Sequence, residues 1–311
     1  MAKRKPRILI LGLPYFGRML ASLLGERGWA AAYEEHPRRN VKAWANLVRK
    51  VARADVIYLI GSRIERRSPQ DMLMRIRRKP VVIHWVGTDV QIALDEAEAG
   101  RVSQRIAKNA THWCDAPWLV EELATIGVES QHLALPVPGL PEEAPPLPAR
   151  FHVLLYLPVD AYDREVFDME TLLRLPAAFP DIDFTLIPSP AATLPAPLPR
   201  NLTALGWIED IDSFYRDVSV YVRLTSHDGT SFMVLECLAR GRQVIWTFPM
   251  RGAIQAEGFE AVAAHIRELA AKQRAGELEL NEVGRQYVLA NFDQGRLTRD
   301  LSQRLRTVLR G

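Results

Sequence analysis

Residues 225–241 read TSHDGTSFMVLECLARG and are followed by RQVIW at 242–246. The first part predicts a polar turn in which Gly229 lets the backbone approach a ligand closely. The apolar part predicts a helix that ends at Gly241, and the continuation predicts a strand. A turn that leads into a helix in this way suits the binding of an anion.

The residues on either side place this turn in a sheet. Residues 218–224 (VSVYVRL) are rich in β-branched and aromatic residues, which predicts a buried strand with Arg223 at its carboxyl end. Residues 243–248 (QVIWTF) predict the neighbouring strand. Thr230 or Ser231 is expected to cap the helix, whose free N–H groups and dipole favour a phosphate or diphosphate.

Two carboxylates flank this predicted phosphate seat. Asp228 lies in the turn, and Glu236 lies on the same helix face as Phe232. Carboxylates beside a phosphate commonly accept hydrogen bonds from hydroxyls, so a nucleoside diphosphate sugar fits the pattern. The alternative is an ordinary strand, turn and capped helix with a solvated Glu236.

The spacing of these acids resembles that in a known family. DGTSFMVLE (228–236) is similar to the acid, seven residues, Glu pattern of retaining glycosyltransferases of the GT-B fold, in particular glycosyltransferase family 4. LECLARGRQVI (235–245) resembles their "LEAMA.G.PVI" continuation. This chain departs from the pattern at Asp228, where Glu is commoner.

The resemblance assigns roles in a sugar donor site. It implies that Glu236 binds the ribose hydroxyls and that Asp228 binds the hydroxyls of the transferred sugar. The amides of Gly229, Thr230 and Ser231 would hold the pyrophosphate.

Residues 202–224 (LTALGWIEDIDSFYRDVSVYVRL) resemble the family segment that meets the nucleotide base. By that match Gly206, Trp207 and Ile208 contact the base. The alternative for Trp207 is a core aromatic residue.

HWVGTD (84–89) resembles the "H.xGTD" segment of the acceptor domain of such transferases. By that match His84 or Asp89 contacts the transferred sugar or the acceptor, and both are expected in the catalytic site. The alternatives are a satisfied structural histidine for His84 and a helix cap for Asp89.

The N-terminal residues predict a strand at 7–11, a glycine-containing loop and a helix that ends near Glu26. We reject a signal peptide here because the apolar run is short and interrupted. The family resemblance places the loop at Gly12 and Gly17 against the interdomain cleft, where it is expected to contact the donor. A tight strand-to-helix turn is the alternative, since GLPYFG is not a dinucleotide-binding motif.

The cation that neutralises the donor diphosphate departs from the family pattern. The family places an Arg and a Lys after the first strand of the donor-binding domain, but residues 157–168 (LPVDAYDREVFD) contain no Lys. Arg223 is the first candidate for this charge, and Arg164 and Arg251 are weaker candidates. A surface ion pair is the alternative role for Arg223.

The chain predicts an α/β protein with two Rossmann-like doubly wound domains that face a cleft, which is the GT-B arrangement. Short apolar runs at 55–61 and 80–87 predict buried parallel strands. The expected boundaries follow from these runs and from a proline-rich linker: an N-terminal acceptor-side domain at 1–137, the linker at 138–150, a nucleotide-sugar-binding domain at 151–295, and a C-terminal helix at 296–311 that packs back toward the N-terminal domain.

The charge distribution bears on partners. Residues 1–140 carry 22 Lys and Arg against 14 Asp and Glu, a net charge of +8, whereas the remainder is at −5. This asymmetry, with the basic run at 63–80, predicts an acidic or lipid-linked acceptor and peripheral membrane contact through the N-terminal domain; a solvated basic face is the alternative. Nucleic acid is not expected as a partner. The two cysteines indicate a reducing, cytoplasmic location, with peripheral contact at the inner membrane face.

The sequence therefore predicts a glycosyltransferase that moves a sugar from a nucleoside diphosphate sugar to an acceptor. The resemblance implies retention of configuration, no cofactor apart from the donor, and no metal in the site. Two alternatives remain: a non-catalytic partner in glycan assembly, and another nucleotide-sugar enzyme such as an epimerase.

Overall fold

The protein consists of two compact units. A computed structural model describes residues 4–35, 41–76, 79–160 and 164–310. One unit comprises Met1–Pro136 together with Gln294–Gly311, and the second comprises Val137–Asp293.

The first unit is a parallel sheet flanked by helices. Its strands are β1 (Arg7–Gly12), β2 (Ala30–Glu34), β3 (Val56–Ile60), β4 (Val81–Trp85), β5 (Thr111–Cys114) and β6 (Ser130–His132). The sheet order is β2-β1-β3-β4-β5-β6, with neighbouring strands in parallel. The helices that precede the linker are α1 (Pro14–Glu26), α2 (Val41–Arg53), α3 (Pro69–Ile76), α4 (Thr88–Glu98), α5 (Gln104–Asn109) and α6 (Pro117–Thr125).

The apolar runs form the central strands, as the sequence predicts. Every residue of β3 and β4 is buried, because helices cover both faces of the sheet. The predicted strand at 7–11 and the helix that ends at Glu26 are also present. The edge strands β2 and β6 were not predicted from the sequence, because they are short and partly exposed.

The last helix, α12 (Gln294–Val308), packs on the first unit. Leu297, Leu301 and Leu305 repeat every four residues and are buried. The Trp29 indole N–H donates to Ser302 Oγ at 2.8 Å. The chain therefore returns to its N-terminal unit after completing the second one.

The second unit repeats the plan of the first. Its strands are β7 (His152–Leu157), β8 (Asp183–Pro188), β9 (Leu202–Ala204), β10 (Val220–Arg223), β11 (Gln243–Trp246) and β12 (Ile254–Gln255). Their order is β12-β11-β10-β7-β8-β9, and neighbours pair in parallel. The helices are α7 (Met169–Ala178), α8 (Ile211–Phe214), α9 (Phe232–Ala239), α10 (Phe259–Ala275) and α11 (Glu282–Asn291).

The strands predicted at 218–224 and 243–248 are present as β10 and β11, which are neighbours as expected. The proline-rich stretch at 188–199 is a loop apart from one 3-10 turn at Ala191–Thr193. The linker has no regular secondary structure and contacts the second unit: Gln273 donates to the Pro148 carbonyl at 2.7 Å. Within the described parts of the chain, we find no helix long and apolar enough to cross a membrane.

Candidate donor-binding site

The strand order of the second unit selects one position at the carboxyl edge of its sheet. From β7 the chain continues through β8 and β9 on one side, then crosses to β10 and β11 on the other. Ligands of doubly wound folds bind outside the carboxyl ends of the strands at such a switch point. Here the switch point lies between β7 and β10, and β10 carries Arg223 as its last residue.

The turn that follows β10 is fixed from two sides. The Thr225 amide N–H donates to Thr247 Oγ1 at 3.0 Å, and the Ser226 amide N–H donates to the Val166 carbonyl at 2.8 Å. Thr225 also forms an isolated antiparallel bridge with Phe167. The backbone that leads to Gly229 is therefore held by the segments after β7 and β11.

Arg223 and Asp228 form a bidentate ion pair at this turn. Arg223 Nε lies 2.5 Å from Asp228 Oδ2, and Nη2 lies 2.9 Å from Oδ1. The two side chains are only 12% and 11% exposed, so the pair is largely buried and not the surface pair that the sequence left open. Asp228 Oδ2 also accepts hydrogen bonds from the Trp246 indole at 3.3 Å and from Thr225 Oγ1 at 3.4 Å.

Two aromatic rings hold the same guanidinium. The Arg223 Cζ atom lies 5.1 Å from the centre of the Tyr156 ring and 5.0 Å from that of Phe167. Cation–π attraction and the bidentate pair both favour one orientation of Arg223. Its positive charge is thus engaged by Asp228, which weakens its case as the cation for a diphosphate.

The helix after the turn begins as the sequence predicts. Ser231 is the N-cap of α9, and its hydroxyl accepts a hydrogen bond from the Val234 amide at 3.5 Å. Of the two predicted capping residues, Ser231 therefore takes the role rather than Thr230. The N-terminal amides of α9 follow directly after Gly229, at the carboxyl edge of the sheet.

Glu236 lies one turn into α9, and a hydrogen bond from Tyr215 holds its carboxylate in place. The hydroxyl of Tyr215, which is fully buried, donates to Glu236 Oε2 at 2.7 Å. Burial raises the pKa of Glu236, although the Tyr215 hydrogen bond and the charge of Arg240 lower it. The carboxylate is therefore half-buried and oriented, unlike the solvated Glu236 expected for an ordinary strand, turn and capped helix.

Arg164 lies beyond the carboxyl end of β7, on the other side of the switch point. Its Nε donates to the Pro158 carbonyl at 2.6 Å, and its Nη2 donates to Ser189 Oγ at 2.7 Å. Nη1 and Nη2 also donate to the carbonyl and hydroxyl of Thr193, each at 3.0 Å. All four partners are neutral, so the charge is not cancelled by these contacts. Residues 161–163 of this predicted cation-bearing stretch lie outside the described residues.

Trp207 follows β9 at the same edge of the sheet. The side chain is 81% exposed, which excludes a core role. Gly206 and Ile208 flank it in a segment without regular secondary structure. A large exposed aromatic ring at this edge is available for stacking on a flat ligand.

His84 belongs to the first unit and is fully buried. Its Nδ1 lies 2.5 Å from the Tyr58 hydroxyl, and the ring lies edge-on to Trp113 at 6.3 Å. Burial lowers the pKa of His84 to about 3, so the imidazole is neutral. The ring has no access to solvent.

Asp89 lies in the first turn of α4 and is also buried. Its Oδ1 accepts the amide N–H groups of Val86 at 3.0 Å and Val90 at 3.1 Å. Burial raises the pKa of Asp89 to about 7, although the amide hydrogen bonds lower it. Asp89 therefore ties the loop after β4 to the start of α4.

Packing alone requires both N-terminal glycines. Gly12 has φ of +119°, and a Cβ atom there would lie 1.9 Å from the Ile60 carbonyl oxygen. A Cβ atom at Gly17 would lie 2.3 Å from the Tyr33 ring. The tight-turn alternative thus explains both residues without a nucleotide.

The basic run at 63–80 is anchored by one of its own acids. Asp71 is buried and accepts a hydrogen bond from Ser103 Oγ at 2.6 Å and one from the Arg67 amide at 3.2 Å. Residues 77 and 78 of this run lie outside the described residues.

A surface cavity of about 440 Å³ lies at the opposite, amino edge of the second sheet. His152 lines it, with one ring nitrogen 2.8 Å from the Asp217 carbonyl and the other 2.9 Å from Thr185 Oγ1. This cavity contains none of the predicted site residues.

The structure thus brings one group of predicted residues together and leaves another apart. Arg223, Asp228, the amides at 229–231 and Glu236 follow one another along β10, the turn and α9. His84, Asp89, Gly12 and Gly17 belong to the first unit. Among the described residues, no cluster of three or more His, Cys, Asp and Glu side chains could hold a metal ion.

The sequence reading missed the residues that support the site. Tyr156, Phe167 and Trp246 surround the Arg223–Asp228 pair, and Tyr215 anchors Glu236. The available signal was their position, because Tyr156 and Trp246 lie near the carboxyl ends of apolar runs that form β7 and β11.

Known proteins resemble this chain in fold but not detectably in sequence. No family model matches the chain, and no curated protein matches it in sequence. Solved structures do match. Sucrose-phosphate synthase from Thermosynechococcus elongatus is 17% identical, with a TM-score of 0.74 over 98% of this chain and 99% of that one.

The chain has the GT-B fold. WaaG, a glycosyltransferase involved in lipopolysaccharide biosynthesis, matches with a TM-score of 0.59 and 13% identity over 96% of this chain and 98% of WaaG. The pneumococcal O-GlcNAc transferase GtfA, in complex with UDP and GlcNAc, matches with a TM-score of 0.56 and 12% identity over 86% of this chain and 60% of GtfA. The predicted fold class, two doubly wound α/β domains of the GT-B type, is confirmed by these matches.

Proposed function

We propose that this protein is a glycosyltransferase that moves a sugar from a nucleoside diphosphate sugar to an acceptor. The observation that carries the proposal is the position of Asp228 in a turn and of Glu236 in the capped helix that follows it, at the switch point of the second sheet. The GT-B fold adds support, since its matches include a sucrose-phosphate synthase, a glycosyltransferase involved in lipopolysaccharide biosynthesis and an O-GlcNAc transferase in complex with UDP and GlcNAc.

The donor would bind the second unit with its diphosphate at the amides of Gly229, Thr230 and Ser231. Glu236, oriented by Tyr215, would accept hydrogen bonds from the ribose hydroxyls. Asp228 would face the transferred sugar. Arg223 binds both carboxylate oxygens of Asp228, and this pairing fixes the direction of the carboxylate.

The base would contact the segment of Gly206, Trp207 and Ile208. Trp207 offers an exposed ring for stacking, which is worth about 1–3 kcal/mol per base in sites of this kind. Stacking tolerates different bases, so selection among nucleotides would rest on hydrogen bonds from the neighbouring backbone.

Arg164 is the better candidate for the cation that stabilises the departing diphosphate. It lies after β7, the strand on the far side of the switch point, and the carbonyls and hydroxyls to which it donates are all neutral. Arg223 by contrast is already paired with Asp228. A guanidinium fork can bind two phosphate oxygens at once.

The reaction would break the bond between the anomeric carbon and the diphosphate oxygen and form a bond to an acceptor hydroxyl oxygen. We propose that attack occurs on the face of the departing diphosphate, with retention of configuration, and that the diphosphate takes up the acceptor proton. Catalysis would then depend on positioning and on stabilising the leaving charge, with no cofactor apart from the donor and no metal.

The acceptor would contact the N-terminal unit. The net charge of +8 over residues 1–140 favours an acidic or lipid-linked acceptor and a site of action at an anionic membrane surface. His84 and Asp89 are buried, so neither would contact an acceptor directly in this structure.

The test is calorimetric titration with UDP, GDP, ADP and their common sugars, combined with assays for sugar transfer to glycolipid and glycan acceptors. We expect one nucleotide to bind and Glu236→Gln to weaken it at least tenfold. Glu260→Gln, which changes an exposed glutamate in the first turn of α10, is the matched control. Failure of every nucleotide to bind at millimolar concentration would overturn the proposal. Binding without transfer to any acceptor would instead identify a non-catalytic partner in glycan assembly.

A further inference from the structure

Helix α2, with the sequence VKAWANLVRKVAR, is more apolar than its packing requires. Leu47 is buried in the core of the first unit, and Val51 packs against the same core. At 100° per residue, these two residues define the side of the helix that faces the sheet. In a helix that packs on a globular core, the apolar side chains are normally confined to this core-facing side.

The apolar sector of α2 continues into solvent. Trp44 and Val48 are one turn apart, and their side chains are 37% and 62% exposed. Ala45 is exposed beside them. A tryptophan and a valine that form one exposed strip on a short helix are an unusual use of apolar surface.

Cationic side chains occupy the side of the same helix that follows Ala45, opposite the core. Lys42, Arg49 and Arg53 are exposed, and no ion pair joins any of them to another residue in the described part of the chain. Lys50 differs, because it pairs with Glu34. The helix contains no acidic residue.

We propose that α2 docks the protein on an anionic phospholipid surface, with its axis parallel to the membrane. Trp44 and Val48 would enter the boundary between head groups and acyl chains, while Lys42, Arg49 and Arg53 would contact lipid phosphates. This combination of an apolar strip bordered by cations, with a helix too short and too charged to span, is the pattern of an interfacial helix.

The charge pattern selects a membrane over a second copy of the chain. A symmetric contact through α2 would place the same cationic strip of both copies face to face, which is unfavourable. An anionic lipid surface complements those cations and also the net charge of +8 over residues 1–140. The inference identifies the element that would contact the anionic surface named under the proposed function, and vesicle binding tests it separately from sugar transfer.

The test uses co-sedimentation of the full chain with phosphatidylcholine vesicles that contain or lack phosphatidylglycerol. We expect binding to the vesicles that contain phosphatidylglycerol, little binding to the others, and release by added salt. Because each basic residue near an anionic surface contributes roughly fivefold in affinity, Lys42→Gln with Arg49→Gln should weaken binding about 25-fold. Trp44→Ser with Val48→Ser should weaken it at least tenfold.

Matched controls change the same residue types elsewhere. Val283→Ser alters a valine that is 58% exposed on α11, and Arg200→Gln with Arg274→Gln removes two exposed cations of the second unit. Both controls should bind vesicles within about twofold of the unchanged chain, since neither alters α2. Circular dichroism and nucleotide titration of every variant verify folding, so loss of vesicle binding with nucleotide binding intact is specific to α2.

Three results would overturn the inference. The first is absence of binding to the phosphatidylglycerol vesicles. The second is equal binding by the α2 variants and the controls. The third is self-association of the unchanged chain, measured by sedimentation velocity, that the α2 substitutions abolish.

Discussion

Arg223 binds both carboxylate oxygens of Asp228, from the last residue of β10 to the turn that follows it. The contact closes a loop of only five residues, so the turn conformation and the direction of the acid are set together. Trp246, from the neighbouring strand, donates a further hydrogen bond to the same carboxylate. A residue that the sequence offers as a phosphate ligand thus serves first to position a carboxylate.

This pair predicts a non-additive effect on stability. Arg223→Met removes the cation and leaves a largely buried carboxylate, so we expect a loss of about 3 kcal/mol or more in the free energy of unfolding. Arg223→Met combined with Asp228→Asn should recover a large part of that loss, because the neutral amide needs no cation. Urea denaturation of both variants and of Asp228→Asn completes the double-mutant cycle. Additive losses would show that the pair is not coupled.

Tyr215→Phe tests how Glu236 is positioned. The substitution removes the hydroxyl that donates to Glu236 Oε2 while the ring stays in the core. A hydrogen bond to a charged group contributes about 1.5–3 kcal/mol, so nucleotide affinity should fall at least tenfold. Tyr58→Phe is the matched control, because Tyr58 is equally buried and its hydroxyl contacts His84 in the first unit. Equal effects of the two substitutions on affinity would contradict a specific role for Tyr215.

Glu236 also predicts a pH dependence of binding. Burial raises its pKa, so ionisation is completed at a higher pH than for an exposed glutamate. Since the ionised form accepts hydrogen bonds from ribose, nucleotide affinity should rise with pH through the weakly acidic range. Titrations of Glu236→Gln at the same pH values isolate this contribution from the ionisation of the nucleotide phosphate. The variant should show the shallower dependence.

The sequence predicts the strands, turn and helix that form this site, but it does not predict the side chains that hold Arg223 in place. The alternation of apolar runs and turns is local information, and it correctly locates β10, the capping Ser231 and β11. Arg223 and Asp228 are only five residues apart, so an ion pair between them was within reach of a sequence argument. Tyr156 and Phe167 reach Arg223 only because β7 pairs with β10, a contact between segments more than fifty residues apart.

In the first unit the sequence left two roles open for each of two residues. HWVGTD places a histidine and an aspartate at a strand end, where they either face a ligand or serve as a structural histidine and a helix cap. The structure turns His84 toward Tyr58 within the sheet and directs Asp89 to the backbone of its own loop. Which face a strand residue occupies depends on the register and on the helices that cover it, and a short motif contains neither.

Arg164→Gln separates diphosphate recognition from base recognition. If Arg164 binds the diphosphate, the variant should bind the preferred nucleoside diphosphate about tenfold or more weakly, while affinity for the corresponding nucleoside stays unchanged. Arg200→Gln, which changes an exposed arginine of the same unit, serves as the control. Because Arg164 also bonds to Pro158 and Ser189, unfolding must be measured in parallel. Equal losses for nucleotide and nucleoside would point to a disturbed loop instead.

Trp207→Ala tests stacking on the base. Its side chain is 81% exposed, so the substitution should change the free energy of unfolding by less than about 0.5 kcal/mol. Loss of a stacking platform should nevertheless weaken nucleotide binding about tenfold. Trp207→Phe should retain most of the affinity. If alanine and phenylalanine variants both bind like the unchanged protein, Trp207 lies outside the donor site.

Asp89 gives a stability prediction with a definite sign. Its pKa is about 7 in the folded protein because of burial, against an ordinary value of 3.8. As the pH rises above 4, the unfolded chain loses this proton before the folded one does, so Asp89 destabilises the fold increasingly up to about pH 7. A difference of about three pKa units corresponds to at most about 4 kcal/mol.

Asp89→Asn removes this titration and keeps an oxygen for the amides of Val86 and Val90. The variant should therefore gain stability relative to the unchanged protein at pH 8 and lose that advantage at pH 4. Urea denaturation at both pH values measures the difference, and Asp95→Asn, on the exposed part of α4, controls for the loss of one negative charge. A gain that is the same at pH 4 and pH 8 would mean that the Asp89 carboxylate ionises normally in the folded chain.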